Sequence, residues 1–230
     1  MSGTTASEAQ QLEVRMAARA LSRHGLVHAY GHCSLRLDAE HLLVCAAQPM
    51  GLIAPGEPGV VVPIYGPLPQ GVLGEVRIHQ QIYQRRPEVG AVIRSMPAQV
   101  MVLSCARLTP QPRHGMGSYF QPGVALWDDP QLLRSDQQAR ALADMLDVGK
   151  ALVMRGNGAI VVGSSLTEAL TLTWYLEDAA RIELQLRSAG LAEHGPLLDA
   201  QECAQRAVTS GRILERMWEY LTANDPEADA

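Results

Sequence analysis

Three observations predict an α/β fold. Apolar residues switch repeatedly between a two-residue and a 3.6-residue period, capping signatures open several of the helical stretches, and nothing divides the chain. The 230 residues are 47% hydrophobic and 19% charged, which excludes a disordered or fibrous protein and suffices for a core that needs no disulfide or metal staple. No fixed-period repeat, low-complexity tract or long linker is present. The expectation is a single domain over residues 1–223, followed by a polar tail, 224–230, that frays.

The elements follow in order. Ser7-x-x-Gln10 reads as a capping box, and Leu12, Met16 and Leu21 carry a first helix from Ser7 to His24, with Gly25 just past its end. Two β-like runs, Gly31 to Leu37 and Leu42 to Ala47, join across Asp38-Ala39-Glu40, and a third spans Gly59 to Tyr65. Antiparallel pairing of these runs is expected. From Gly74 the period becomes helical, with Val76, Ile78, His79, Ile82 and Tyr83 on helical faces and Pro87 as the stop. Ala91 to Ile93 reads as a buried strand, and Ala98 to Cys105 as a short helix after Pro97. A loop rich in Pro and Gly leads to a helix from Asp136 to Leu146, whose Ala139, Leu142, Ala143 and Leu146 share a face. Strands Ala151 to Met154 and Ala159 to Val162 flank Gly156-Asn157-Gly158, where Asn157-Gly158 reads as a type I′ turn. Ser165-x-x-Glu168 is another capping box, opening a long helix through Leu170, Leu176, Ala180 and Leu184. Asp199-x-x-Glu202 opens a last helix that reaches Leu221.

Charge and cysteine usage narrow the class of partner. With 19 Lys and Arg against 24 Asp and Glu the net charge is −5, so nucleic acid is not an expected partner. The longest uncharged runs, His41 to Gly56 and Pro58 to Gly74, are broken by Pro and Gly and fall short of the roughly 20 apolar residues of a membrane span. Met1 to Gln11 has neither the basic start nor the apolar stretch of a secretory leader. Cys33, Cys45, Cys105 and Cys203 are scattered without a C-x-x-C pair and read as reduced, buried, small apolar residues. A cytoplasmic protein without membrane contact is expected.

Three groups of residues are candidates for chemistry. His24, His28 and His32 recur every four residues, the spacing that stacks imidazoles as metal ligands on a helix, but Gly25 and Gly31 break that helix and leave loop or surface histidines as the plainer reading. The Gly31-x-x-Ser34 turn can present backbone N–H groups and a hydroxyl to an anion. Glu75 and His79 stand one helical turn apart, as a carboxylate–imidazole pair able to hold a substrate proton. Their plainer reading sets Glu75 against the helix dipole and leaves His79 half-buried.

Taken in order, several segments resemble the class II aldolase/adducin family: Gly31-His32-Cys33-Ser34-Leu35-Arg36, Gly74-Glu75 with His79, Arg85-Arg86-Pro87-Glu88-Val89-Gly90-Ala91-Val92-Ile93, and Arg155-Gly156-Asn157-Gly158. The match runs from Ala17 to Gly190, and Trp174-Tyr175-Leu176-Glu177-Asp178-Ala179-Ala180-Arg181 is similar to the family's closing helix. The resemblance implies a three-layer α/β/α fold around a central, mainly antiparallel sheet, and a homotetramer with sites between subunits. Catalytic members hold zinc on three imidazoles, and the corresponding positions here are Arg94, Met96 and Asn157. The family's catalytic carboxylate corresponds to Glu75. By the same resemblance Gly31, Ser34 and Arg36 border the substrate pocket, and His79, Arg155 and Asn157 are further substrate-binding candidates. Ala54-Pro55-Gly56 lacks the hydroxyls with which some members hold phosphate.

Arg94 stays protonated, and a thioether and an amide are poor replacements for nitrogen ligands. A guanidinium about 4 Å from a divalent cation costs about 8 kcal/mol at an effective dielectric of about 20, twice the unit-charge figure. No metal or other cofactor is therefore expected. Arg94 is expected to enter the zinc position, pair with Glu75, and hold a carboxylate or a developing enolate. Two functions follow. One is a metal-independent lyase of aldehyde-lyase, decarboxylase or isomerase type, acting on a small anionic oxo- or hydroxy-acid with Glu75 as acid/base and Arg94 as electrophile. The other is a non-catalytic, adducin-like oligomer whose dismantled zinc site binds a small molecule or a partner.

Overall fold

The computed structural model describes residues 4–228. Helix α1 (Glu8–Arg23) starts on a closed capping box, in which Ser7 Oγ accepts the Gln10 amide and Gln10 Oε1 accepts the Ser7 amide. Strands β1 (His32–Arg36), β2 (His41–Val44) and β3 (Val60–Pro63) follow as a meander, then helix α2 (Arg77–Arg85) and strand β4 (Ala91–Ser95). Next come helix α3 (Ala98–Cys105), strand β5 (Ala125–Trp127), helix α4 (Asp136–Leu146), and the hairpin of β6 (Ala151–Met154) and β7 (Ala159–Gly163). Helices α5 (Leu166–Ser188), α6 (Ala200–Arg206) and α7 (Ile213–Thr222) complete the order.

The seven strands make one sheet in the order β3-β2-β1-β4-β7-β6-β5. Every pairing is antiparallel except β5 with β6, so the sheet is mixed. Strand β5 lies in the segment read from sequence as loop; its three residues are all half-buried and offer no two-residue alternation to read. Helices α1 and α5 pack on one face of the sheet with α3 and α7 against α5, while α2 and α4 pack together on the other. The core is made by side chains such as Leu21, Ile78, Ile82 and Ile93, all fully buried, each contributing about 1.5–3 kcal/mol by leaving water. No helix among the described residues is long and apolar enough to cross a membrane.

Four local expectations need correction. The last helix is two: α6 stops at Arg206, and Gly211 and Arg212, at φ 77° and 59°, take left-handed backbone that keeps one right-handed helix from running through to α7. Ser165 caps α5, but Glu168 does not close the box; its carboxylate instead accepts Lys150 Nζ at 2.6 Å and the Ser164 amide at 2.7 Å. The β6–β7 turn is not type I′ on Asn157-Gly158: the positive φ angles fall on Gly156 and Gly158, and the Asn157 amide closes the turn onto the Met154 carbonyl at 2.9 Å. The tail expected to fray is tied down over its described part, because the Asp225 carboxylate is fully buried against Arg19 and Arg23 and Glu227 bonds Arg15 and Arg19. Residues 229–230 lie outside the described residues. Cys33, Cys45 and Cys203 are buried as expected, whereas Cys105, at the end of α3, is exposed.

Candidate active site

Sheet order brings distant segments of the chain together. β4 runs antiparallel between β1 and β7, so its C-terminal end meets the start of β1 and the β6–β7 turn, with Arg94 opposite His32 on one side and Ile160 on the other. Side chains alternate along a strand. His32 and Ser34 therefore share the face toward α2, while Cys33 on the opposite face reaches the Val14 carbonyl of α1. Only glycine fits at two corners of this junction: a Cβ on Gly31 would lie 2.4 Å from Val27 Cγ2, and one on Gly158, at φ +85°, would lie 2.0 Å from the Ser95 carbonyl oxygen.

Glu75 occupies a single 3-10 turn, Gly74–Val76, at the entrance to α2. Its carboxylate lies 3.1 Å from Arg94 Nε and 4.0 Å from His32 Nε2. Arg94 is 3% exposed and the Glu75 side chain 21%, so the cation is sealed in the wall and its carboxylate partner reaches the cavity. Arg94 Nη2 donates to Asn157 Oδ1 at 2.9 Å. The Arg94 Nε–H is within ion-pair distance of Glu75 but is not aimed at it, and Arg94 Nε and Nη1, Asn157 Nδ2 and His32 Nε2 find no hydrogen-bond partner within the protein. Buried polar groups are nearly always satisfied, so these four nitrogens carry hydrogen-bonding capacity that the protein itself does not use.

The wall opens on a cavity of about 930 Å³. Leu73, Leu132, Leu133, Met96 and Pro49 give it apolar sides, and Arg77 and Arg134 join Arg94 around it. Arg94 is paired with Glu75 and Arg77 with Asp136, so Arg134 leaves the cleft with one excess positive charge inside a protein of net charge −5, a distribution that favours anions there. A second concavity of about 630 Å³, lined by Gln99, Arg181, Leu184 and neighbours, holds none of the unpartnered buried atoms.

The titratable groups are strongly tuned. Burial pushes the Arg94 guanidinium below its ordinary value, with Glu75 opposing the shift; it stays charged all the same. Burial, then the proximity of His79 and of Arg94, pushes His32 well below the usual imidazole value. Burial and the Arg94 charge lower His79 to about 3. Both imidazoles are neutral at pH 7. The donor set is unsuited to zinc: a guanidinium stands in the wall with a thioether and an amide, and among the described residues no three His, Cys, Asp or Glu side chains converge.

Of the residues singled out from sequence, Glu75, Arg94, Gly31 and Asn157 line the cavity. Ser34, Arg36, His79 and Arg155 do not. Ser34 is a mid-strand residue whose hydroxyl is 2.6 Å from His79 Nδ1, so it offers nothing to an anion at a turn. His79 is fully buried and turned to His32 and Ser34, away from Glu75, so the expected Glu75–His79 pair does not form. Arg36 donates to the carbonyls of Tyr83, Arg86 and Val89 and lies over the Tyr83 ring, a wholly structural arrangement. Arg155 pairs with Asp128 at 2.5 Å. His24 packs between Trp174 and Tyr220 and His28 lies in an exposed loop, but His32, read as a loop or surface residue, is 2% exposed in the cavity wall. Its alternation with Ser34 in one strand was the available signal.

Comparison with known proteins agrees with this architecture. The sequence pattern of the Class II Aldolase and Adducin N-terminal domain matches residues 13–184. A 3,4-dihydroxyphthalate decarboxylase from Terrabacter sp. is 29% identical over 84% of this chain and 87% of its own length. A 3,4-dihydroxyphthalate decarboxylase from Arthrobacter keyseri is 26% identical over 77% and 78%. Among solved structures, L-fuculose-1-phosphate aldolase from Thermus thermophilus superposes with a TM-score of 0.70 at 26% identity, covering 84% of this chain and 100% of that one. A pattern match over most of the chain, with superposition on a solved aldolase over its full length, leads to one assignment: the protein belongs to the class II aldolase/adducin family.

Proposed function

We propose that the protein is a metal-independent carbon–carbon lyase of the decarboxylase type, acting on a small carboxylic acid that carries a hydroxyl or oxo group. The observation that carries this reading is the buried Arg94, paired with Glu75 and left with unused donors facing an anion-attracting cavity. The decarboxylase relatives supply the reaction type. Cytoplasmic location and a homotetramer, as in the family, belong to the same proposal.

Arg94 Nη1, with the Asn157 amide beside it, takes the substrate carboxylate, replacing hydrogen bonds lost to water with charge-assisted ones. Glu75, the carboxyl that reaches the cavity, is the general acid and brings the proton for the reaction. Glu75 delivers that proton to the carbon that bears the carboxylate; the C–C bond breaks, CO₂ leaves, and Glu75 regains a proton from water. The fixed guanidinium serves as the cation of the site, and apolar walls keep its field strong.

The test is release of CO₂ from a panel of hydroxy- and oxo-acids, in the presence and absence of a chelator. Turnover unaffected by chelation is expected. Glu75→Gln should lower kcat by about 100-fold or more with binding retained, and Arg94→Met should lower kcat/KM by about 100-fold, the loss of a charged hydrogen bond. Activity that appears only with added zinc would refute the reading.

A further inference from the structure

Behind the cavity wall runs a file of hydrogen-bonding side chains with no part in the steps above. His32 Nδ1 lies 2.8 Å from His79 Nε2, His79 Nδ1 lies 2.6 Å from Ser34 Oγ, and Ser34 Oγ lies 3.0 Å from the Tyr83 hydroxyl. The Tyr83 hydroxyl in turn reaches the Ser34 carbonyl at 3.2 Å. All four side chains are buried. One end of the file stops at main chain, which accepts a hydrogen bond and passes no proton on. The other end is His32 Nε2, without a partner in the protein and 4.0 Å from Glu75 Oε2. With Tyr83 donating to the carbonyl, Ser34 donates to Tyr83, His79 Nδ1–H to Ser34 and His32 Nδ1–H to His79, so His32 Nε2 keeps its lone pair for the cavity.

We propose that His32 Nε2 accepts the hydroxyl of an ortho-hydroxylated aromatic acid, an assignment that rests on Arg94 holding the acid's carboxylate. Arg94 Nε and His32 Nε2 lie 3.1 and 4.0 Å from the same Glu75 oxygen, so the two groups are neighbours in the wall, as a carboxylate and a hydroxyl are neighbours on an ortho-substituted ring. The apolar side formed by Leu73, Leu132, Leu133 and Met96 suits a flat ring. When Glu75 protonates the carboxyl-bearing carbon, the ring's positive charge appears on the hydroxyl as a protonated ketone, whose O–H is held by His32 Nε2. The C–C bond then breaks, its electron pair restores the aromatic ring, CO₂ departs, the hydroxyl keeps its proton, and water reprotonates Glu75. His79, Ser34 and Tyr83 are positioning residues that fix the plane and tautomer of His32.

Calorimetric titration with 2-hydroxybenzoate and with benzoate tests the assignment. The wild type should bind the hydroxy acid about tenfold more tightly, the effect of one hydrogen bond. His32→Phe should bring that ratio to about one while benzoate still binds through Arg94. Ser34→Ala, remote from the cavity, should lower the ratio without weakening benzoate binding. The ¹⁵N resonance of His32 Nε2 in the wild-type protein should shift with 2-hydroxybenzoate and stay unchanged with benzoate, a reading that needs no variant to fold. Equal affinities in the wild type, or a ratio preserved in His32→Phe, would overturn the role of His32 alone. Benzoate binding that is absent, or indifferent to Arg94→Met, would overturn the carboxylate reading and this assignment with it.

Discussion

His79 shows how burial sets chemistry at the scale of one residue. Its imidazole, lowered to about 3 in the folded protein, takes up a proton near pH 6.5 once the chain unfolds. Between those values the unfolded state holds a proton that the folded state refuses, so stability is full above pH 6.5 and falls as pH drops, by about 1.4 kcal/mol per pH unit for this residue. His79 alone should account for about 2 kcal/mol of the loss in urea denaturation between pH 7.5 and pH 5, with His32 adding to it in the same direction, and His79→Gln should remove its share of the slope. The pairing of Glu75 with Arg94 was legible through the family resemblance, which sets Arg94 at a zinc-ligand position beside the family's carboxylate, and the two meet at 3.1 Å. His32 was misread as a loop or surface residue although it falls in the run read as the first strand, because alternation along a strand sets which residues share a face but not which face meets the cavity.

Elements extend these effects through their ends. The β6–β7 turn holds Asn157 against Arg94 only while Gly158 keeps its positive φ beside the Ser95 carbonyl. Gly158→Ala should cost more than about 2 kcal/mol in denaturant midpoint analysis and weaken carboxylate binding, since strain and clash act together there. Helix α1 is anchored at its far side by the C-terminal segment. Burial pushes the Asp225 carboxyl up, and the bonds from Arg19 and Arg23 more than offset it, leaving it below the ordinary carboxylate value. Asp225→Asn removes the buried carboxylate shared by Arg19 and Arg23, leaving Arg19 with Glu227 as its one carboxylate partner, and should destabilise the protein by about 2 kcal/mol. The capping boxes at Ser7 and Asp199 formed as read because they are contacts within four residues. The tail was misread because its polar composition concealed partners some 200 positions away in sequence, at |i−j| of 206 for Arg19 and Asp225.

At the scale of the molecule, an anionic protein carries a cationic cleft with a permanent guanidinium at its centre. A bound carboxylate at about 100 times its Kd should therefore stabilise the fold by about 2.7 kcal/mol, seen as a rise in Tm. Arg94→Met should abolish that rise, and exhaustive chelation should leave it unchanged. Periodicity, capping and residue type are local properties, so the succession of helices and strands and most of the caps could be read along the chain, and the ordered motifs carried the resemblance to the family and the significance of positions 75 and 94. Three features were visible in no stretch of the chain: β5 joins the sheet in parallel, His32 stands beside Glu75, and Ser34, His79 and Tyr83 support the wall from behind. Those outcomes depend on strand order and register, which are set by the joint burial of residues far apart in the chain, and no single segment encodes them.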